Sequence, residues 1–77
     1  MTPRQAQFLA FIHLYQKLHR QPPAEHELCT YFRLTPPSVH DAIVRMEKAG
    51  LIARTPRQPR SIRILVPAED IPPLEDE

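Results

Sequence analysis

Residues 33–54 read RLTPPSVHDAIVRMEKAGLIAR, and the fold turns on how this stretch is punctuated. Arg33-Leu34-Thr35-Pro36-Pro37 is a break too short for the chain to wander. Val39, Ala42, Ile43 and Met46 then recur at helical spacing and predict the inner stripe of a helix from about Pro37 or Ser38 to Ala49. Gly50, the only glycine in the chain, follows directly and suits a left-handed helix end. Leu51-Ile52-Ala53-Arg54 reads as a short strand.

Upstream, Leu28, Tyr31 and Phe32 place one apolar side on a helix from about Ala24 to Phe32. Ala24 stands where a Ser or Thr would accept a backbone N–H, so this start is poorly capped. Glu25 and Glu27 still favour the positive end of the helix dipole, and Glu27 holds the third position of a capping box. Gln21-Pro22-Pro23 stops a first helix, because the residue before a proline is pushed out of the α region. That helix runs from about Pro3 to Leu18, with Thr2 and Gln5 as a capping box. Phe8, Leu9, Phe11, Ile12, Tyr15 and Leu18 are its expected buried stripe.

Downstream, Thr55-Pro56-Arg57-Gln58-Pro59-Arg60 is a turn, and Ser61–Val66 is a second strand, β-branched and alternating. Helix, helix, tight turn, helix, glycine and hairpin, in that order, predict a mainly α chain with a small β-hairpin: a three-helix winged helix-turn-helix. The expected domain is residues 1–66. Residues 67–77, with Pro72-Pro73 and five acids, are expected to be a disordered acidic tail, although Ile71 and Leu74 could dock on a neighbour.

Composition narrows the function. The chain's 77 residues leave room for one core. A single Cys29 excludes an internal disulfide and reads as a small buried hydrophobe. The N-terminus has no apolar signal-peptide region, and no run approaches the ~20 apolar residues of a membrane span, so a cytoplasmic protein with no membrane partner is expected. His26 and Cys29 stand three apart, but structural zinc needs four ligands and no second pair has zinc-like spacing. With no Gly-rich loop and no HExxH, no metal, cofactor, small-molecule substrate or enzymatic activity is expected. The net charge of +1 hides an asymmetry. All ten Lys and Arg lie in residues 1–67 with four acids, Glu25, Glu27, Asp41 and Glu47, while residues 68–77 carry five acids and no base. A basic folded part suits a polyanion.

An α-helix fits the B-DNA major groove, and its early residues reach base edges. On the third helix Pro37, His40, Asp41, Val44, Arg45 and Lys48 lie opposite the inner stripe, with Ser38 at the edge. Ser38 or His40 could bond base edges, Asp41 a cytosine amino group, and Val44 a thymine methyl; Arg45 and Lys48 suit phosphate. A competing reading uses Ser38 and Asp41 as an S-x-x-D capping box. Arg54, Arg57, Arg60 and Arg63 fall within ten residues of hairpin and are expected phosphate contacts.

The motifs Thr2-Pro3-Arg4-Gln5, Phe8-Leu9-x-Phe11-Ile12-x-x-Tyr15, Pro22-Pro23 and Glu27-Leu28 resemble the N-terminal DNA-binding domain of LexA repressors. So do Ser38-Val39-His40, Glu47-Lys48-x-Gly50-Leu51-Ile52-x-Arg54 and Pro59-Arg60-x-Ile62-x-Ile64-Leu65, in a match over about residues 2–65. The resemblance implies sequence-specific binding of double-stranded DNA by a small transcriptional regulator. It implies Pro37, Ser38, His40 and Asp41 as base readers and Thr35 near the backbone. The family usually has glycine where this chain has Arg20 and Arg33. None of the family's second domain, with its self-cleaving Ser–Lys pair, is seen in these residues, so the expectation is a stand-alone regulator. One module offers few base contacts, so a homodimer on a two-fold site is the natural arrangement. The alternative is a winged helix that docks on another protein.

Overall fold

A computed structural model describes residues 1–75. Helix α1 spans Pro3–His19, α2 spans Glu25–Phe32 and α3 spans Pro36–Lys48. Strands β1 (Ile52–Ala53) and β2 (Arg63–Ile64) follow, then a 3-10 turn at Ala68–Asp70. The strands pair antiparallel, Ile52 opposite Ile64 and Ala53 opposite Arg63. This is the arrangement of a winged helix-turn-helix. No helix among the described residues is long and apolar enough to cross a membrane.

Local chemistry sets the helix ends. Thr2 Oγ1 accepts from the Gln5 amide at 3.1 Å while the Gln5 side chain accepts from the Thr2 amide at 2.9 Å, the expected capping box. Three turns use positive φ: Arg20 (60°) after α1, Arg33 (56°) after α2 and Gly50 (78°) after α3. Only glycine enters that region without a steric penalty, so the two arginines carry strain.

The start of α3 does not form the Ser38–Asp41 capping box of the competing reading. Thr35 is the N-cap: its Oγ1 accepts from the Ser38 amide at 3.4 Å and donates to Ser38 Oγ at 2.9 Å. Pro36 takes the first helical position, where no N–H is needed, and this starts the helix ahead of Ser38.

The core is Phe8, Leu9, Ile12, Leu28, Phe32, Val39, Ile43, Met46, Ile52 and Ile62, with Phe11, Cys29, Tyr31 and Ala42 half-buried against it. Phe8 stacks on Phe32 at 4.7 Å and Phe11 on Tyr31 at 4.9 Å, locking α1 to α2. Leu18 departs from expectation: it lies in the last turn of α1, past the core, and is 68% exposed. Ala10, absent from the expected stripe, is buried.

Ala10 borders a groove formed with the C-terminal segment, which also corrects an expectation. Residues 67–75 are not a free tail. Gln7 donates to the Pro73 carbonyl at 3.2 Å and accepts from the Glu75 amide at 2.8 Å. Tyr31 donates to the Glu75 carbonyl at 2.9 Å, and Ile71 and Leu74 pack on the core. Apolar burial at those two residues offsets the ordering entropy that the acidic composition alone would not. Asp76 and Glu77 lie outside the described residues.

Candidate nucleic-acid interface

Helix α3 buries Val39, Ile43 and Met46, and 3.6-residue periodicity turns Pro37, Ser38, His40, Asp41, Arg45 and Lys48 outward. All six are exposed, and Val44 is half-buried. Thr35 is exposed at the N-terminus, its hydroxyl engaged in the cap. Ser38 Oγ accepts from Thr35 but keeps its own proton to donate. His40 Nδ1 lies 3.3 Å from Glu25 Oε1, tying the outer face of α3 to the first turn of α2. Arg45 and Lys48 sit in the last turn, where the helix dipole favours cations.

The hairpin turn contains the sequence Pro-Arg twice. Pro56-Arg57 and Pro59-Arg60 form consecutive turns, and both arginines have positive φ, 63° and 56°. Proline at the second position and positive φ at the third are the pattern of a type II turn. The Gln58 amide closes the first turn on the Thr55 carbonyl at 3.2 Å. Ser61 Oγ accepts from the Thr55 amide at 3.0 Å and lies 2.7 Å from the Gln58 carbonyl and 3.1 Å from that of Thr55. These two tight turns and Pro67 leave only two residues per strand in register, fewer than the alternation suggested.

The four wing arginines are not placed alike. Arg57 is exposed and makes no side-chain hydrogen bond or ion pair among the described residues. Arg54 pairs with Glu47 at 3.1 Å. Arg60 turns inward: one guanidinium nitrogen lies 2.7 Å from Glu27 Oε1, 3.1 Å from Tyr15 Oη and 3.3 Å from the Pro22 carbonyl. Arg63 is exposed but borders a separate groove with His13 and Gln16 of α1.

His40, Glu25, Arg54 and Arg57 instead meet around an open groove of about 350 Å³ between the wing and the adjoining ends of α2 and α3. The groove thus brings His40 of α3 together with Arg54, Arg57 and Arg60, the last with its guanidinium held by Glu27, and leaves Arg63 on the separate groove.

The sequence marks Glu27 as a helix-start acid and Tyr15 as a core aromatic and gives no sign of their part in the wing. Tyr15 Oη donates to Glu27 Oε2 at 2.5 Å, and the Ala24 amide donates to Glu27 Oε1 at 2.7 Å. Ala24 has no side-chain acceptor, so only the Glu27 half of that capping box is made. Partial burial opposes the Glu27 charge, but hydrogen bonds from Tyr15, the Ala24 amide and Arg60, with the Arg60 charge, outweigh it and hold the carboxyl at about 2 instead of the usual 4.5. No local sequence signal links residues 15, 27 and 60; the link exists only once the hairpin folds back. Among the described residues no His, Cys, Asp and Glu cluster could hold a metal.

The family model of the LexA DNA-binding domain matches residues 1–61. The LexA repressor of Thermosipho melanesiensis is 32% identical over 71 residues, covering 92% of this chain and 36% of the repressor. That of Exiguobacterium sibiricum is 41% identical over 73 residues, 91% of this chain and 36% of the repressor. That of Caldicellulosiruptor saccharolyticus is 39% identical over 66 residues, 84% and 33%. The chain therefore spans about a third of the length of the curated relatives it matches.

Proposed function

The chain belongs to the LexA DNA-binding domain family, and from that membership we propose that it binds double-stranded DNA sequence-specifically as a LexA-like transcriptional repressor. Helix α3 enters the major groove. Pro37, Ser38, His40, Asp41 and Val44 face base edges, and Arg45, Lys48 and Arg57 face phosphate. Arg54 joins them when it exchanges Glu47 for the DNA backbone.

The observation that carries this reading is the exposed outer face of α3, whose His40 lines one groove with the outward Arg57. The stripe has few cations but several base-edge partners, so it suits selection more than affinity. The described residues extend at most 29 Å, less than the ~34 Å between half-sites one DNA turn apart. One copy therefore reads one half-site, and we propose a homodimer on a two-fold operator.

Selection of duplexes from a random pool tests this. The expected result is a recurring half-site, in inverted repeat, with the preference at one base position relaxed by roughly 1–3 kcal/mol in His40→Ala or Asp41→Ala. A pool that stays random after repeated selection would defeat it.

A further inference from the structure

Arg60 and Arg57 occupy equivalent places in tandem Pro-Arg turns, both with positive φ, yet their side chains go opposite ways. Arg57 points out. Arg60 joins three parts of the chain: Tyr15 on α1, the Pro22 carbonyl in the α1–α2 loop, and Glu27 on α2. We propose that Arg60 is a positioning residue of the wing and not a phosphate contact: through Glu27 and Tyr15 it fixes the turn on the helical core and leaves Arg57 as the turn cation that meets the DNA backbone. This rests in part on the DNA-binding reading.

The chemistry favours the pin over release to DNA. The Glu27 carboxylate accepts three donors, from Arg60, Tyr15 and the Ala24 amide, and its side chain is only 22% exposed. Withdrawing Arg60 would leave a half-buried anion short of its cation. The same withdrawal would free a residue held at φ 56°, a backbone state that persists when surrounding contacts over-determine it. Nothing comparable restrains the Arg57 side chain among the described residues.

Two measurements on the full chain test the pin. The first needs no DNA: ¹⁵N relaxation order parameters of the amides at Arg57, Gln58 and Arg60. Rigid backbone gives about 0.85 and flexible backbone less than about 0.6. Arg60→Ala and Glu27→Gln are expected to drop these amides to the flexible range, and Arg57→Ala to leave them rigid. Tyr15→Phe keeps the ion pair and should fall between, which preserves the test if a harsher variant does not fold.

The second is titration of random duplex DNA across salt concentrations. Arg57→Ala should flatten the log–log slope by about 0.9. Arg60→Ala should leave the slope alone and weaken binding by the same factor as Glu27→Gln. The double variant should be no weaker than either single one. Glu27→Gln is the discriminating case, because removing a negative charge would by itself tighten binding to DNA.

The pin is overturned if Arg60→Ala leaves the wing rigid. It is equally overturned if Arg60→Ala flattens the slope by about 0.9 while Glu27→Gln binds as well as the unaltered chain. If the unaltered chain binds no duplex, the functional reading fails, and the order parameters still decide the pin.

Discussion

Glu27 holds its charge well below the pH at which an exposed glutamate loses it. Its folded pKa lies below the unfolded one, so its stabilisation is full above about pH 4.5 and is lost as pH falls towards 2. Urea unfolding at a series of pH values should show a steeper loss of stability across that window for the unaltered chain than for Glu27→Gln. Parallel acid losses would contradict the assignment. A second expectation concerns Arg33, a non-glycine residue at φ 56°. The left-handed region costs an ordinary residue roughly 1–2 kcal/mol, and glycine returns part of that gain as unfolded-chain entropy. Arg33→Gly should therefore raise stability by up to about 1 kcal/mol, read from the thermal midpoint. A lower midpoint would show that the Arg33 side chain itself holds the turn.

Among the elements, the helices were the most legible, because their apolar residues repeat at 3.6 and their breaks are marked by Pro22-Pro23, Pro36-Pro37 and Gly50. The outer face of α3 followed from the same period. What sequence could not show was which hydroxyl caps α3, since Thr35 and Ser38 are both capping types and three residues apart. The structure decides it: Pro36 takes the first helical position and Thr35 Oγ1 accepts from the Ser38 amide. Thr35→Ala is expected to cost about 1 kcal/mol in chemical denaturation, and Ser38→Ala less than about half of that. The reverse order would return the cap to Ser38. The hairpin was legible as a hairpin, but four similar arginines gave no sign that one of them turns inward. That outcome depends on contacts 33 and 45 residues away, with Glu27 and Tyr15.

For the whole molecule, the C-terminal segment was the least legible part. Its acids and prolines match a disordered composition, while only Ile71 and Leu74 betray its docking on the core. It lies along α1, held by Gln7, whereas the proposed DNA-facing cations lie on α3 and the wing. Removing residues 68–77 changes the net charge from +1 to +6 and uncovers apolar surface. The truncated chain should melt at a lower temperature yet bind random duplex more tightly at low salt. An unchanged melting temperature would mean that the docked segment adds nothing to stability.

The proposed function requires that α3 and the wing form one DNA-facing surface. Amide chemical-shift mapping of the ¹⁵N-labelled chain during titration with duplex DNA tests it most directly. The largest shifts are expected at Thr35, Ser38, His40, Asp41, Val44, Arg45, Lys48, Arg54 and Arg57. Residues 4–14 of α1 and the docked segment 68–75 should stay nearly still. Shifts concentrated on α1 and that segment, or none at low salt, would contradict it.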